Sequence, residues 1–120
     1  MKVLILAILF FSAPLWAAHL ENEKAYQERW CAEQKGVTEY VLDDRTRVDC
    51  LTVEYAVEVE FAAKWAESIG QALYYGIRTC RTPGVVLIME CEGDDRYLKR
   101  LQAVAEKYGI RIWTIQGAGK

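Results

Sequence analysis

A chain of 120 residues, 52% hydrophobic and 27% charged, with a formal net charge of -2, has the length of one domain and no overall basic field to attract a polyanion. His19 is the only histidine, and no two of the four cysteines stand at the short spacing of a metal knuckle. A cysteine-type zinc site and a Ser-His-Asp or Cys-His hydrolase are therefore both disfavoured.

The chain begins with Lys2, an apolar run from Val3 to Phe11, and the small-residue exit Ala13-Pro14-Leu15-Trp16-Ala17. This is the layout of a secretory signal peptide, too short and wrongly flanked for a membrane anchor. Residues 1–17 are read as that signal and residues 18–120 as an exported domain, periplasmic or secreted. All four cysteines lie in the exported part, where they can oxidise, and a domain of roughly a hundred residues gains from a crosslink.

Residues 21–34 read as a helix with Tyr26 and Trp30 on one side, ended by Gly36. Residues 37–42 read as a strand, Asp43-Asp44-Arg45-Thr46 as a turn and residues 47–53 as the returning strand; Glu54 marks a tight connection into a third strand over residues 55–61. Residues 62–79 form a long helix. Ala62, Ala66, Ile69 and Leu73 make an apolar stripe along it, and Lys64, Ser68, Gln71 and Tyr75 a polar one. Gly70 inside that helix costs about 1 kcal/mol in propensity, which suggests a close approach to another element. Thr82-Pro83-Gly84 reads as a loop and residues 85–89 as a strand buried on both faces. Asp94 or Asp95 caps a third helix that Gly109 stops, residues 110–115 close the domain as a strand, and residues 117–120 form a tail. The expected fold class is α/β: helix, three-strand meander, helix, strand, helix, strand.

Cys80 and Cys91 flank an extended run that would hold them roughly 20 Å or more apart. A disulfide needs Cα atoms within about 7 Å, so that pair is disfavoured. Of the pairings four cysteines allow, Cys31 with Cys50 is the first choice, tying the first helix to the strand bearing Asp49, and the other two are left as free, buried thiols.

The chemistry concentrates between Arg47 and Tyr75. Asp49 lies in RVDCLTV, and Glu58 and Glu60 lie in YAVEVEF. Strand alternation sends both glutamates to one face, opposite Tyr55, Val57, Val59 and Phe61. Two acids on one face of an otherwise apolar strand are costly unless paired or bound to a cation.

Element order and residues together resemble the PD-(D/E)xK nuclease superfamily, whose core runs helix, three strands, helix, strand. The resemblance covers roughly residues 21–115 and implies a restriction-endonuclease-like core. It also implies an acid on each of two adjacent strands, here Asp49 and Glu58, binding magnesium or manganese. The RecB-like branch adds Q-x-x-x-Y on the next helix, which Gln71-Ala72-Leu73-Tyr74-Tyr75 matches. A first-helix glutamate joins the site in several branches, and Glu28 is the position carried over. Where the family has lysine two residues after the second acid, this chain has Glu60. Lys64, one turn into the helix and on the Gln71–Tyr75 stripe, is the candidate replacement.

The implied activity is metal-dependent hydrolysis of DNA. Hard divalent cations take oxygen ligands, which Asp49, Glu58 and Glu60 supply. Lys64 would serve the attacking water or the phosphate, and Gln71 and Tyr75 would position it. DNA would have to meet local cations: Arg45 with Arg47, Arg78 with Arg81, or Lys99 with Arg100. Each element has a plainer counterpart. Asp49 could pair with Arg45 or Arg47, Glu60 with Lys64, and Gln71 and Tyr75 could be an ordinary helix face. The alternative function is an inactive, disulfide-stabilised periplasmic binding module of the same fold.

Overall fold

The structure, a computed structural model, describes residues 19–117; the expected signal peptide lies outside them. The chain alternates α1 (Glu23–Glu33), β1 (Val37–Val41), β2 (Arg47–Leu51), β3 (Tyr55–Phe61), a 3-10 turn (Ala62–Lys64), α2 (Trp65–Thr79), β4 (Thr82–Met89), a second 3-10 turn (Glu92–Asp94), α3 (Asp95–Tyr108) and β5 (Arg111–Gln116). The five strands form one mixed sheet in the order β1-β2-β3-β4-β5. The meander is antiparallel, and β3, β4 and β5 run parallel because a helix returns the chain between them.

Side-chain parity builds three layers. Val57 and Val59 of β3 and Val86 and Ile88 of β4 pack with Tyr26, Trp30 and Cys31 of α1. Val85, Leu87 and Met89 point the other way, under Ala72 of α2 and Leu101 and Ala105 of α3. Covered on both faces, β4 is apolar at every position from Val85 to Met89.

The Cys31–Cys50 disulfide forms, with Cα atoms 5.7 Å apart, and fastens α1 to β2. Gly36 is required beside it: a Cβ there would stand 2.6 Å from Cys50 Sγ and 2.8 Å from Cys31 Sγ. Among the described residues no helix is long and apolar enough to cross a membrane.

Four local expectations are corrected. Thr82-Pro83-Gly84 is the start of β4, because it pairs in register with Tyr55, Ala56 and Val57. Cys80 and Cys91 are free but exposed: one is the left-handed cap of α2, with φ 53°, and the other precedes the second 3-10 turn. Gly70 meets nothing within 4 Å of a built Cβ, so no close approach explains it. Of the expected stripe Ala62, Ile69 and Leu73 pack on the core and only Ala66 is exposed, while the most buried positions of α2 are Ser68, Ala72, Tyr75 and Gly76.

Candidate functional site

β2 and β3 share two backbone pairings, Cys50 with Val57 and Leu51 with Ala56. At the next position the Asp49 carboxylate takes over, accepting the Val59 N–H at 2.9 Å. Gln27, buried on α1, donates to the Asp49 carbonyl at 3.0 Å and to the Glu39 carboxylate at 2.9 Å. Glu39 stands across the hairpin from Asp49 and adopts a left-handed φ of 52°. A regular ladder is thus exchanged, at one point, for side-chain bonds that hold a carboxylate inside the sheet.

Glu58 and Glu60 are nearly inaccessible, at 4% and 8% exposure. The Asp49 and Glu58 carboxyls are hydrogen-bonded to one another, and those of Glu60 and Glu23 form a second such pair. Asp49 and Glu58, in contact at this burial, cannot both ionise, so that pair holds a proton. Burial is the chief cause in all three strand acids. It pushes Asp49 up to about 6, Glu60 to about 8 and Glu58 further still. Asp49, with the Val59 N–H to favour its charge, is the anion of its pair, and Glu58 carries the proton. Oε1 of Glu58 is buried with no hydrogen-bond partner.

Lys64 ends the 3-10 turn beside this cluster, and its ammonium favours the charged form of Glu60. It makes no ion pair with Glu60 among the described residues, so the plain structural bridge is absent. Tyr75 is buried, its hydroxyl against the Thr46 hydroxyl and the Arg47 N–H; burial, then the charges of Glu58 and Asp49, push its pKa up. Gln71 is exposed on the same helix stripe, one turn before Tyr75. The structure therefore draws Asp49, Glu58, Glu60, Lys64 and Tyr75 into one neighbourhood, with Gln71 at its rim. Neither Arg45 nor Arg47 pairs with Asp49 among the described residues.

Glu28 is not brought there. It lies on the exposed face of α1, 3.9 Å from Lys24. The α1 acid that reaches the cluster is Glu23, in the first turn, directly after the Asn22 cap whose side chain accepts the Ala25 N–H. Five residues separate the two glutamates, well over one helical turn, so they face different ways. An acid in the first turn after a good cap was the available signal, but such acids usually serve only the helix dipole.

A further acid, Glu90 at the end of β4, steadies this end of the sheet. It accepts hydrogen bonds from Tyr26 at 2.8 Å, the Leu20 N–H at 2.9 Å and His19 at 2.6 Å. His19 stacks on Phe61 at 3.5 Å, and the Phe61 N–H donates to Glu60. The strand end carrying Glu60 is thereby held from the α1 side.

Among the described residues no three His, Cys, Asp or Glu side chains are grouped so that they could hold a metal ion. The acids stand instead as two neighbouring pairs, Asp49 with Glu58 and Glu60 with Glu23. Their donor type suits a hard cation, and the unpartnered Glu58 oxygen is the atom such an ion would satisfy.

Burial raises these pKa values above those of the unfolded chain, so the folded state binds protons more tightly. Stability from the cluster is fully present below the ordinary carboxylate range near pH 4 and is lost as pH rises through 6 and 8. Thermal melts of the metal-free protein should accordingly fall by several degrees between pH 5 and pH 8. A flat or rising melting temperature would contradict the burial of these acids.

What fold and site define is an α/β domain with three helices, a five-stranded mixed sheet and a buried acidic cluster where β2 and β3 part. Compared with protein-family models, curated proteins and solved structures, the chain matches none.

Proposed function

We propose that the protein is an exported, metal-dependent phosphodiesterase acting on DNA, built on a restriction-endonuclease-like core. The observation that carries this is the cluster of half-buried Asp49 with buried Glu58 and Glu60, with an unpartnered oxygen on Glu58. Acids buried at this cost have no evident structural use, and perturbed carboxyls in a fold's interior favour a functional site. Element order adds support, since the chain runs helix, three strands, helix, strand before its last two elements. The disulfide is compatible with an oxidising compartment outside the cytoplasm.

Asp49, Glu58 and Glu60 would hold magnesium or manganese, with Glu23 taking the part expected of Glu28. A divalent cation bound there supplies Lewis acidity toward the phosphate and makes water more acidic. The chain's own groups do the rest. Asp49, fixed by the Val59 N–H, presents a carboxylate of set orientation. Glu58, protonated beside Asp49, and Glu60, raised by burial, would give up their protons to serve as ligands. Lys64 places a positive charge beside Glu60, where it orients water or offsets phosphate charge. Tyr75 and Gln71 hydrogen-bond the phosphate or Lys64.

The test is incubation of the mature protein with plasmid and linear DNA under magnesium, manganese and chelator. Cleavage that chelator abolishes is expected; a folded protein that cuts nothing with any divalent metal overturns the proposal. Lys64→Ala should lower kcat by about 10²-fold while leaving metal uptake intact, the usual cost of losing one charge-stabilising group. Full activity in that variant would remove Lys64 from the chemistry.

A second function has an observation of its own. Glu60 occupies the family's lysine position, which favours an inactive binding module of the same fold. Calorimetry separates the two: a working site takes up magnesium or manganese, and a relic does not.

A further inference from the structure

A groove of about 290 Å³ runs between the β1–β2 hairpin and the C-terminal end of α2, lined by Tyr40, Asp43, Arg78, Thr79 and Arg81 among others. Its helix wall is the last turn of α2, whose preceding turn carries Tyr75 toward the acidic cluster. Tyr75, whose hydroxyl lies near Glu58 and Asp49, precedes Arg78 on α2 by three residues, a rise of about 4.5 Å. The hairpin wall is pinned to the helix, because the Tyr74 hydroxyl donates to Asp44 and the Thr46 N–H and hydroxyl donate to the same carboxylate.

Resting on the phosphodiesterase proposal above, we infer that this groove receives single-stranded DNA. Arg78 and Arg81 grip its phosphates, and Tyr40 stacks against a base. The charge argument comes first. The chain is net negative and its site is a cluster of acids, so a polyanion approaches only where cations are gathered. The groove gathers two of them, Arg78 near the end of α2 and Arg81 just after it. Asp43 and Asp44 stand on the hairpin wall, so the helix wall is the anion-binding side. Asp44 is already engaged by three donors and by the Arg78 charge. Arg81 is pre-set by donating its Nε–H to the Val53 carbonyl at 3.2 Å, which leaves the other four N–H donors of its fork for a phosphate.

The argument for one strand is size and an aromatic face. A groove this small takes a stretch of extended chain and excludes a duplex. Tyr40 lines it while remaining 42% exposed, a ring available for the sequence-tolerant stacking that single-strand sites use.

The experiment is fluorescence anisotropy of a labelled oligothymidylate and of a matched duplex, with the mature protein in chelator so that nothing is cut. Single strand should bind at least about tenfold more tightly than duplex. Arg78→Ala/Arg81→Ala should weaken single-strand binding about tenfold and reduce the log–log salt slope by roughly 1.4, for two phosphate contacts. Tyr40→Ala should cost about tenfold with the slope unchanged. Arg78→Ala alone, at an exposed position, guards against a fold defect and should show half the slope change. Absence of single-strand binding by the unaltered protein, equal binding of duplex, or unaltered affinity and slope in the double variant would each overturn the inference. Metal uptake and cleavage are read separately. A protein that cuts DNA as fast in the double variant as in the parent loses the groove and keeps the phosphodiesterase; one that binds single strand but takes up no metal does the reverse.

Discussion

Asp49→Asn is expected to abolish metal-dependent DNA cleavage, by roughly 10³-fold or more, and to abolish magnesium or manganese uptake, in a protein that remains folded. Asp49 is held by the Val59 N–H and is the least raised of the three strand acids, so it is the group a cation meets most readily ionised. An amide keeps its shape and can keep the Val59 bond through its carbonyl, but carries no charge to neutralise a metal. Glu58→Gln is expected to lose activity to a similar degree and yet to raise the melting temperature of the metal-free protein at pH 8. The buried Glu58 carboxyl is protonated only at a growing cost as pH rises, whereas an amide has no charge to bury and offers an N–H to Asp49. Opposite signs for activity and stability at one residue are the mark of a group kept for function. Plasmid cleavage, calorimetry and thermal melts of the two variants measure this. Parent-level cleavage by Asp49→Asn would end the proposal.

The second large effect is structural. Removing the disulfide as Cys31→Ala/Cys50→Ala should destabilise the protein by about 3 kcal/mol, because the bridge closes a separation of 19 residues that the unfolded chain would otherwise explore. For a domain of this size that corresponds to roughly 10–20 °C in melting temperature. Both half-cystines are fully buried, so alanine adds no unsatisfied hydroxyl. The loss should reach the site as well. The bridge ties α1, which carries Glu23 and Gln27, to β2, which carries Asp49, and Gln27 bonds the Asp49 carbonyl directly. Metal affinity of the reduced or alanine protein should therefore drop together with stability. Calorimetric scans with and without reductant read both, and a melting temperature within two degrees of the parent would show that the bridge does little.

The element order was legible because each signal is local. Alternation in YAVEVEF separates Val57 and Val59 from Glu58 and Glu60 whatever they pack against, and the apolar run Val85–Met89 has no amphipathic alternative. Reach kept Cys80 from Cys91, and the chosen Cys31–Cys50 bridge forms because α1 lies against β2. Legibility failed where a neighbour decides. Thr82-Pro83-Gly84 carries turn residues, but Tyr55, Ala56 and Val57 recruit it as strand. Cys80 and Cys91 were expected inside and lie outside, because apolar character says nothing about a position at an element's end. Ala66 fits a stripe by spacing, yet the sheet meets α2 about one third of a turn away, at Ala72 and Tyr75.

For the candidate site the division is the same. Residue order and periodicity suffice to place Asp49, Glu58 and Glu60 on adjacent strands and Gln71 and Tyr75 one turn apart on a helix, because those are properties of one segment at a time; Lys64, expected one turn into that helix, instead ends the 3-10 turn before it. Which first-helix glutamate joins them is not such a property. Glu23 and Glu28 are equally plausible in sequence, and only the angle at which α1 crosses the sheet, set by the disulfide and by Tyr26 on Glu90, turns Glu23 toward Glu60 and Glu28 toward water. The same holds for the pairing of acids. That Asp49 shares a proton with Glu58, and that Glu60 neighbours Glu23, depends on where β2 leaves β3, a long-range contact that no local pattern encodes.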